Sequence, residues 1–245
     1  MKFDYNFYRV SGLIRTFSLE LFGIFSFDFN VNASEVDRLS ERLLEAYMAF
    51  GEDEPSAVRL ADEIALYVPT LRSLLTLDAE SIYAADPAAD SLEEIIACYP
   101  GFFATLCHRL AHKVYETGHR PLSRLIAEYA HSLTGVDIHP GASIGRGLAI
   151  DHGTGLVIGE TAVIGDNVRL YQGVTVGAKS FPRGLDGGFD RAKKRHPTIG
   201  DRCTVYANAT ILGADTVVGS DSVIGANVWL TYSVPPGTVV HYERK

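Results

Sequence analysis

Four short segments concentrate the residues able to do acid–base chemistry: Asp137-Ile138-His139-Pro140, Asp151-His152-Gly153-Thr154-Gly155, Gly159-Glu160-Thr161 and Arg195-His196-Pro197. A carboxylate behind an imidazole fixes one tautomer and raises its basicity, so an Asp–His pair can deprotonate a hydroxyl. Asp137 precedes His152 by 15 residues. That spacing joins them if the chain returns on itself every three hexapeptides, about 18 residues. It also fits a turn aspartate and a surface histidine. The elements around them decide.

Those elements repeat. Ile138, Ile144, Ile150, Leu156, Ala162, Val168 and Val174 fall every six residues, and Ile199, Val205, Ile211, Val217, Val223 and Trp229 resume the period after a break. Six fits neither an amphipathic helix nor an alternating strand. It fits a β-solenoid in which each hexapeptide makes one flat face and one corner, with the aliphatic residue inward. Two such runs supply about four to five coils. Gly145, Gly165, Gly213, Gly219 and Asn208 then serve corners, where side chains must be small or φ positive. The break, residues 178–197, carries Lys179, Arg183, Arg191, Lys193, Lys194 and Arg195 against Asp186 and Asp190. We read it as a long loop thrown out from one corner, the place where a solenoid carries function.

Upstream the pattern is helical. Of 23 glycines only five precede residue 132, whereas leucine is concentrated there. Ser34-Glu35-Val36-Asp37 resembles a capping box, followed by Leu39, Leu43, Leu44 and Tyr47 at helical spacing. Pro55 opens a second helix expected to end before Pro69, with further helices over 70–76, 78–85, 91–98, 101–117 and 121–133, closed by Gly118 and Gly135. The fold class expected is α+β: an aromatic-rich arm over 1–33, a helical domain over 34–134, a left-handed parallel β-helix over 135–240, and a tail over 241–245. The arm holds nine aromatics, and Phe25-Ser26-Phe27-Asp28-Phe29 alternates like a short strand.

Composition narrows the class. A net charge of −8 argues against nucleic-acid binding. No apolar run reaches membrane-spanning length, and Met1–Tyr5 lacks the apolar core of a signal peptide. Three cysteines, Cys98, Cys107 and Cys203, make no disulfide framework. These features read as a cytoplasmic protein.

The β half resembles the serine acetyltransferase family, through Asp137-Ile138-His139-Pro140-Gly141-Ala142, Ile150-Asp151-His152-Gly153-Thr154-Gly155, Val157-Ile158-Gly159-Glu160-Thr161-Ala162, Tyr171-Gln172-Gly173-Val174-Thr175-Val176-Gly177 and Arg195-His196-Pro197. The helical half matches more thinly, through Asp86-Pro87-Ala88. The resemblance implies transfer of acetyl from acetyl-CoA to L-serine, by direct attack in a ternary complex and without a metal. It implies His152 as base, Asp137 as its orienting carboxylate, and Asp86 and Asp151 on the substrate ammonium. Arg195 falls to the substrate carboxylate, a fit for a two-pronged donor, and His196 is a second active-site histidine. It also implies Gly177, Ala178, Ala207 and Gly225 along the acetyl-CoA groove, and a homo-oligomer, either a trimer or a dimer of trimers. Backbone N–H groups near Gly177-Ala178 are candidates for the oxyanion, and the basic loop for the cofactor phosphates.

The pattern departs in three places. The loop before Arg195 is longer than in the best-known bacterial members, and the amino-terminal arm has no counterpart. The chain ends His241-Tyr242-Glu243-Arg244-Lys245 rather than in the isoleucine by which many members bind O-acetylserine sulfhydrylase, which puts a complex with that partner in doubt. Rival readings are acetylation of homoserine or a sugar, a solenoid carbonic anhydrase using His139, His152 and His196, and a non-catalytic scaffold. A sugar lacks the ammonium–carboxylate pair that Asp86, Asp151 and Arg195 would serve. Homoserine differs by one methylene, worth only about 1–3 kcal/mol.

Overall fold

The computed structural model describes residues 33–49, 51–181, 183–184 and 187–242, with backbone alone for 33–39. The aromatic arm, the capping-box side chains and the last three residues lie outside the described residues.

Among the described residues five helices come first: α1 (Ala33–Ala49), α2 (Glu54–Ala85), α3 (Leu92–Cys98), α4 (Pro100–Glu116) and α5 (Arg120–Thr134). Asp53 caps α2 by accepting from Ser56 N–H at 2.8 Å, and Pro55 sits in its first turn. The helix then runs through Pro69, and the helices expected over 70–76 and 78–85 are its continuation. A proline removes one backbone hydrogen bond and normally ends a helix. Here Ala57, Ala61, Ile64, Val68, Leu71, Leu75, Ala79 and Ile82 bury one continuous stripe on both sides of it, and that burial outweighs the lost bond. Gly135 ends α5 in the left-handed conformation, φ 70°.

From Asp137 onward the chain winds as a left-handed parallel β-helix. Its strands are β1 (Asp137–Ile138), β2 (Ser143–Ile144), β3 (Ala149–Ile150), β4 (Val157–Ile158), β5 (Val163–Ile164), β6 (Arg169–Leu170), β7 (Thr175–Gly177), β8 (Thr198–Ile199), β9 (Thr204–Val205), β10 (Thr210–Leu212), β11 (Val217–Val218), β12 (Val223–Ile224), β13 (Trp229–Leu230) and β14 (Val239–Val240). They stack into three parallel sheets: β1-β4-β7-β10-β13, β2-β5-β8-β11 and β3-β6-β9-β12-β14, here called the first, second and third.

The inward register corrects the simple period of six. The stacked inward columns are Ile138–Ile158–Val176–Ile211–Leu230, Ile144–Ile164–Ile199–Val218 and Ile150–Leu170–Val205–Ile224. Leu156, Ala162, Val168 and Val174 are buried too, but two positions before each column residue. The six-residue count therefore steps from one buried row to the other between Ile150 and Ile158, hiding a two-residue insertion. A second slip follows Ile211. Val217 and Trp229 consequently face outward, 43% and 67% exposed, Val223 is only half-buried, and Val218, Ile224 and Leu230 take the core.

A buried ion pair joins the halves. Arg109 on α4 donates to both oxygens of Asp78 on α2, at 2.6 and 2.7 Å, and to the Gly145 carbonyl at 2.8 Å. Asp78 also accepts from Leu148 N–H at 2.8 Å. Removing either partner would strand a buried charge, at a cost of about 3–5 kcal/mol. A Cβ on Gly101 would lie 2.2 Å from the Ile150 carbonyl, so α4 approaches the strand before the insertion as only glycine permits. The helical half thus locks the first coil, from which His152 projects.

Candidate active site

The insertion Asp151–Gly155 sits on the edge between the third and first sheets. His152 has φ 55°, flanked by Gly153 at 82° and Gly155 at 77°. A Cβ on Gly153 would meet Val136 at 2.8 Å and Ile150 at 2.9 Å. The turn is therefore tight, and it throws His152 outward with its side chain 69% exposed. Its Nδ1 lies 3.7 Å from Asp151 Oδ1.

Asp86, the residue after α2, faces the same edge. It accepts from the Tyr99 hydroxyl at 2.6 Å and from Ala88 N–H at 2.8 Å. The Tyr99 bond, then the Ala88 bond, hold its carboxyl below the usual range, and the nearby His152 imidazole acts in the same direction. The same bond pushes the Tyr99 phenol up to about 12, with Asp151 adding to it. Asp86, Tyr99, Asp151 and His152 thus share one electrostatic neighbourhood. Asp137 opens β1 beside this edge, its N–H bonded to the Leu156 carbonyl. Among the described residues, the carboxylate within ion-pair distance of the imidazole is that of Asp151, not Asp137.

Arg195 and His196 lie elsewhere, on the edge between the first and second sheets. Thr161, on the turn after β4, organises them. Its hydroxyl oxygen accepts from Arg195 N–H at 2.9 Å and His196 N–H at 3.1 Å, and Thr161 N–H donates to His196 Nδ1 at 3.0 Å. With Nδ1 accepting, Nε2 carries the proton. Burial, then the Arg195 charge, push His196 down to about 4, so it stays neutral near pH 7. A Cβ on Gly159 would lie 2.1 Å from His196 Nε2, so the ring needs a glycine beneath it.

Glu160 accepts from Arg195 Nη2 and, at 3.0 Å, from the Tyr115 hydroxyl. Burial raises its carboxyl, but these two bonds outweigh that and hold it below the usual range. Arg195 Nη1 is buried without a hydrogen-bond partner among the described residues. One prong of the fork is tied down and the other is free. A cavity of about 290 Å³ borders Arg195, walled by Phe181, Phe189, Asp190 and Arg191 of the long loop. The loop is not formless: Arg183 and Phe189 bridge, Gly184 N–H bonds the Gly188 carbonyl at 2.8 Å, and Phe181 packs edge-on against Phe189.

The groove residues divide between the two edges. Gly177 ends β7 and Ala178 follows it, at the Arg195 edge; Ala207 and Gly225 follow β9 and β12, at the His152 edge. One sheet face separates the edges, about 13 Å for the four steps from Gly155 to Gly159 at about 3.3 Å each. A single chain therefore assembles Asp86, Asp151 and His152, and separately Arg195 and His196. Nor does one chain gather three imidazoles, since His139 and His196 share one edge and His152 is on the other. Among the described residues no cluster of three or more His, Cys, Asp or Glu could hold a metal ion.

Sequence reasoning missed Tyr99 and Tyr115 and gave no role to Thr161. Tyr99 carries no local signal, because it meets Asp86 only through the packing of α3 and α4 on α2.

The model for the hexapeptide repeat of succinyl-transferase matches residues 198–232. A plasmid serine acetyltransferase of Synechococcus elongatus is 53% identical over 184 residues, 75% of this chain and 57% of that one. The serine acetyltransferase of Mycobacterium tuberculosis is 50% identical over 163 residues, 66% of this chain and 67% of that one. The crystal structure of Entamoeba histolytica serine acetyltransferase 1 in complex with L-cysteine matches with a TM-score of 0.83 at 40% identity, covering 95% of this chain and 86% of that one. The chain thus spans little more than half the length of the Synechococcus relative.

Proposed function

Because the chain belongs to the serine acetyltransferase family, we propose that it transfers the acetyl group of acetyl-CoA to the hydroxyl of L-serine, giving O-acetyl-L-serine and CoA. The helices to Thr134 form its first domain and the β-helix from Gly135 its acyltransferase domain. The observation that carries the reading is the division of labour between the edges. One offers an exposed imidazole with two acids, Asp86 and Asp151; the other offers a partly buried guanidinium whose buried Nη1 is unpartnered among the described residues. A free amino acid with a side-chain hydroxyl needs a base, an anion for its ammonium and a cation for its carboxylate. Together the two edges supply all three.

His152 takes the serine hydroxyl proton as the oxygen attacks the thioester carbonyl, and returns it to the departing CoA thiolate. Asp137, at the start of the coil that His152 ends, orients the ring once the site closes; catalytic hydrogen bonds are often long in the free state. Asp86, held ionised by Tyr99 and Ala88, and Asp151 take the ammonium. Arg195 Nη1 takes the carboxylate, its partner prong fixed by Glu160. Neutral His196 donates through Nε2. Gly177, Ala178, Ala207 and Gly225 line the acetyl-CoA groove, with N–H groups near Gly177-Ala178 stabilising the oxyanion. No metal takes part.

Since the halves lie on different edges of one prism, a complete site needs the His152 edge of one copy against the Arg195 edge of the next. A cyclic trimer with the first sheet turned toward the threefold axis satisfies this three times over. The single tryptophan, Trp229, stands exposed on that sheet, where a neighbouring copy would cover it. L-cysteine, bound by the Entamoeba relative, would compete for the serine pocket. Cys98, Cys107 and Cys203 form no disulfide, as suits a reducing cytoplasm, and among the described residues no helix is long and apolar enough to cross a membrane.

A thiol-release assay with acetyl-CoA and L-serine, L-homoserine and a sugar tests the proposal. Release with serine far above the others is expected. No release with any acceptor would end the acetyltransferase reading.

A further inference from the structure

Above the imidazole, the His152 edge carries two aromatic rings to which nothing so far gives a role. The coils stack in register: Asp151 N–H bonds the Leu170 carbonyl, Tyr171 N–H the Val205 carbonyl and Tyr206 N–H the Ile224 carbonyl. Asp151, Tyr171, Tyr206 and Gly225 therefore form one column. The two rings stack with centroids 5.1 Å apart and planes within 22°. Tyr206 is 42% exposed, and Gly225, the next residue in the column, has no side chain to cover it. Neither hydroxyl has a hydrogen-bond partner among the described residues. Beside the column, in register with His152, Gln172 keeps a buried Oε1 that is also unpartnered.

A thioester presenting its carbonyl to His152 must lead the rest of the molecule away along this edge. Downward the way is closed: Gly155 N–H bonds the Gly135 carbonyl at the end of α5, and Asp86 and Tyr99 flank the turn. Upward, each coil rises about 4.8 Å, so Tyr171 and Tyr206 stand about 5 and 10 Å above Asp151. At that height the tail of acetyl-CoA is still its pantetheine arm, a chain with two amides, and has not reached the nucleotide.

We propose that the Tyr171–Tyr206 stack is the wall on which the pantetheine arm lies. Its rings pack against the amide planes and its hydroxyls donate to the arm's carbonyls. The inference rests on the acetyltransferase reading and adds two binding residues to it. Ala207, beside Tyr206, then gives the arm room to approach the backbone.

Tyr171→Ala, Tyr206→Ala and Tyr206→Phe test this, once melting temperature and molecular mass match the parent protein. Calorimetry with CoA reads binding apart from turnover. Each alanine variant should weaken CoA about three- to tenfold, the worth of one aromatic contact. It should raise the acetyl-CoA KM by the same factor and leave kcat and the serine KM unchanged. Tyr206→Phe, which keeps the ring, should lose less than Tyr206→Ala. The same factor should hold for acetyl-phosphopantetheine, which has the arm without the nucleotide. Unchanged CoA affinity in both alanine variants would overturn the inference, as would a loss seen with acetyl-CoA and absent with acetyl-phosphopantetheine. A parent protein that releases no CoA with any acceptor would instead remove the acetyltransferase reading, which these binding measurements do not themselves decide.

Discussion

The two edges of the first sheet are built on opposite plans. On one, His152 stands 69% exposed on an insertion, with one carboxylate 3.7 Å away. On the other, His196 is 7% exposed, and Thr161 fixes the ring and the backbone leading into it. The residue that moves a proton must reach substrate and solvent. The residues that recognise a carboxylate gain from being rigid and dehydrated before it arrives. Each edge meets one requirement, and neither meets both. On the proposed reading, the complete site therefore lies between two chains.

The most severe break of this contrast is on the open edge. His152→Ala should lower kcat about a thousandfold, within the 10²–10⁴ range of a positioned base, with an unchanged melting temperature because the ring is exposed. A steady-state assay beside a thermal melt reads both, and near-normal turnover would refute the assigned base. On the rigid edge, Gly159→Ala would drive a methyl to 2.1 Å from His196 Nε2. Overpacking of this kind costs about 1–3 kcal/mol. Serine kcat/KM should fall about ten- to a hundredfold while CoA affinity by calorimetry holds.

Much of this was legible in the residues. Solenoid, helical half and loop follow from hexapeptide spacing, the glycine shift and the basic break, because burial recurs locally. The insertion that throws His152 outward was not. Strand residues two apart are both buried in this fold, so Leu156 could stand in the period of Ile150 although Ile158 holds the column. Trp229 was misplaced inward by a similar slip. The uninterrupted α2 was also hidden, since Pro69 is a local signal and the stripe overriding it is tertiary. Tyr99 at Asp86, and the assignment of His152 and Arg195 to different edges, depend on three-dimensional register that no linear spacing displays.

Two smaller tests sharpen the contrast. Tyr99→Phe removes the 2.6 Å bond to Asp86 and frees that carboxylate to wander. The serine KM should rise about three- to fivefold, discounted for exposure from the usual worth of a charged hydrogen bond, with kcat kept. An unchanged KM would show that Asp86 needs no such support. His196 makes stability depend on pH. Its folded value of about 4 lies below the ordinary 6.5, so the unfolded chain takes up the proton first as pH falls. The stability conferred by the neutral ring is complete above about pH 6.5 and is lost as pH falls toward 4. Melting temperature should drop across that window more steeply than in His196→Gln; equal slopes would deny the shift.

Complementation between chains tests the central claim most directly. His152→Ala and Arg195→Ala proteins, each inactive alone, are unfolded together, refolded as mixed oligomers and assayed for CoA release with serine. If each site joins the His152 edge of one chain to the Arg195 edge of the next, random mixing leaves about one site in four intact, and about a quarter of parental activity should return. If both residues serve a site within one chain, no mixture contains an intact site. Activity that stays at the level of the separate variants would contradict the account.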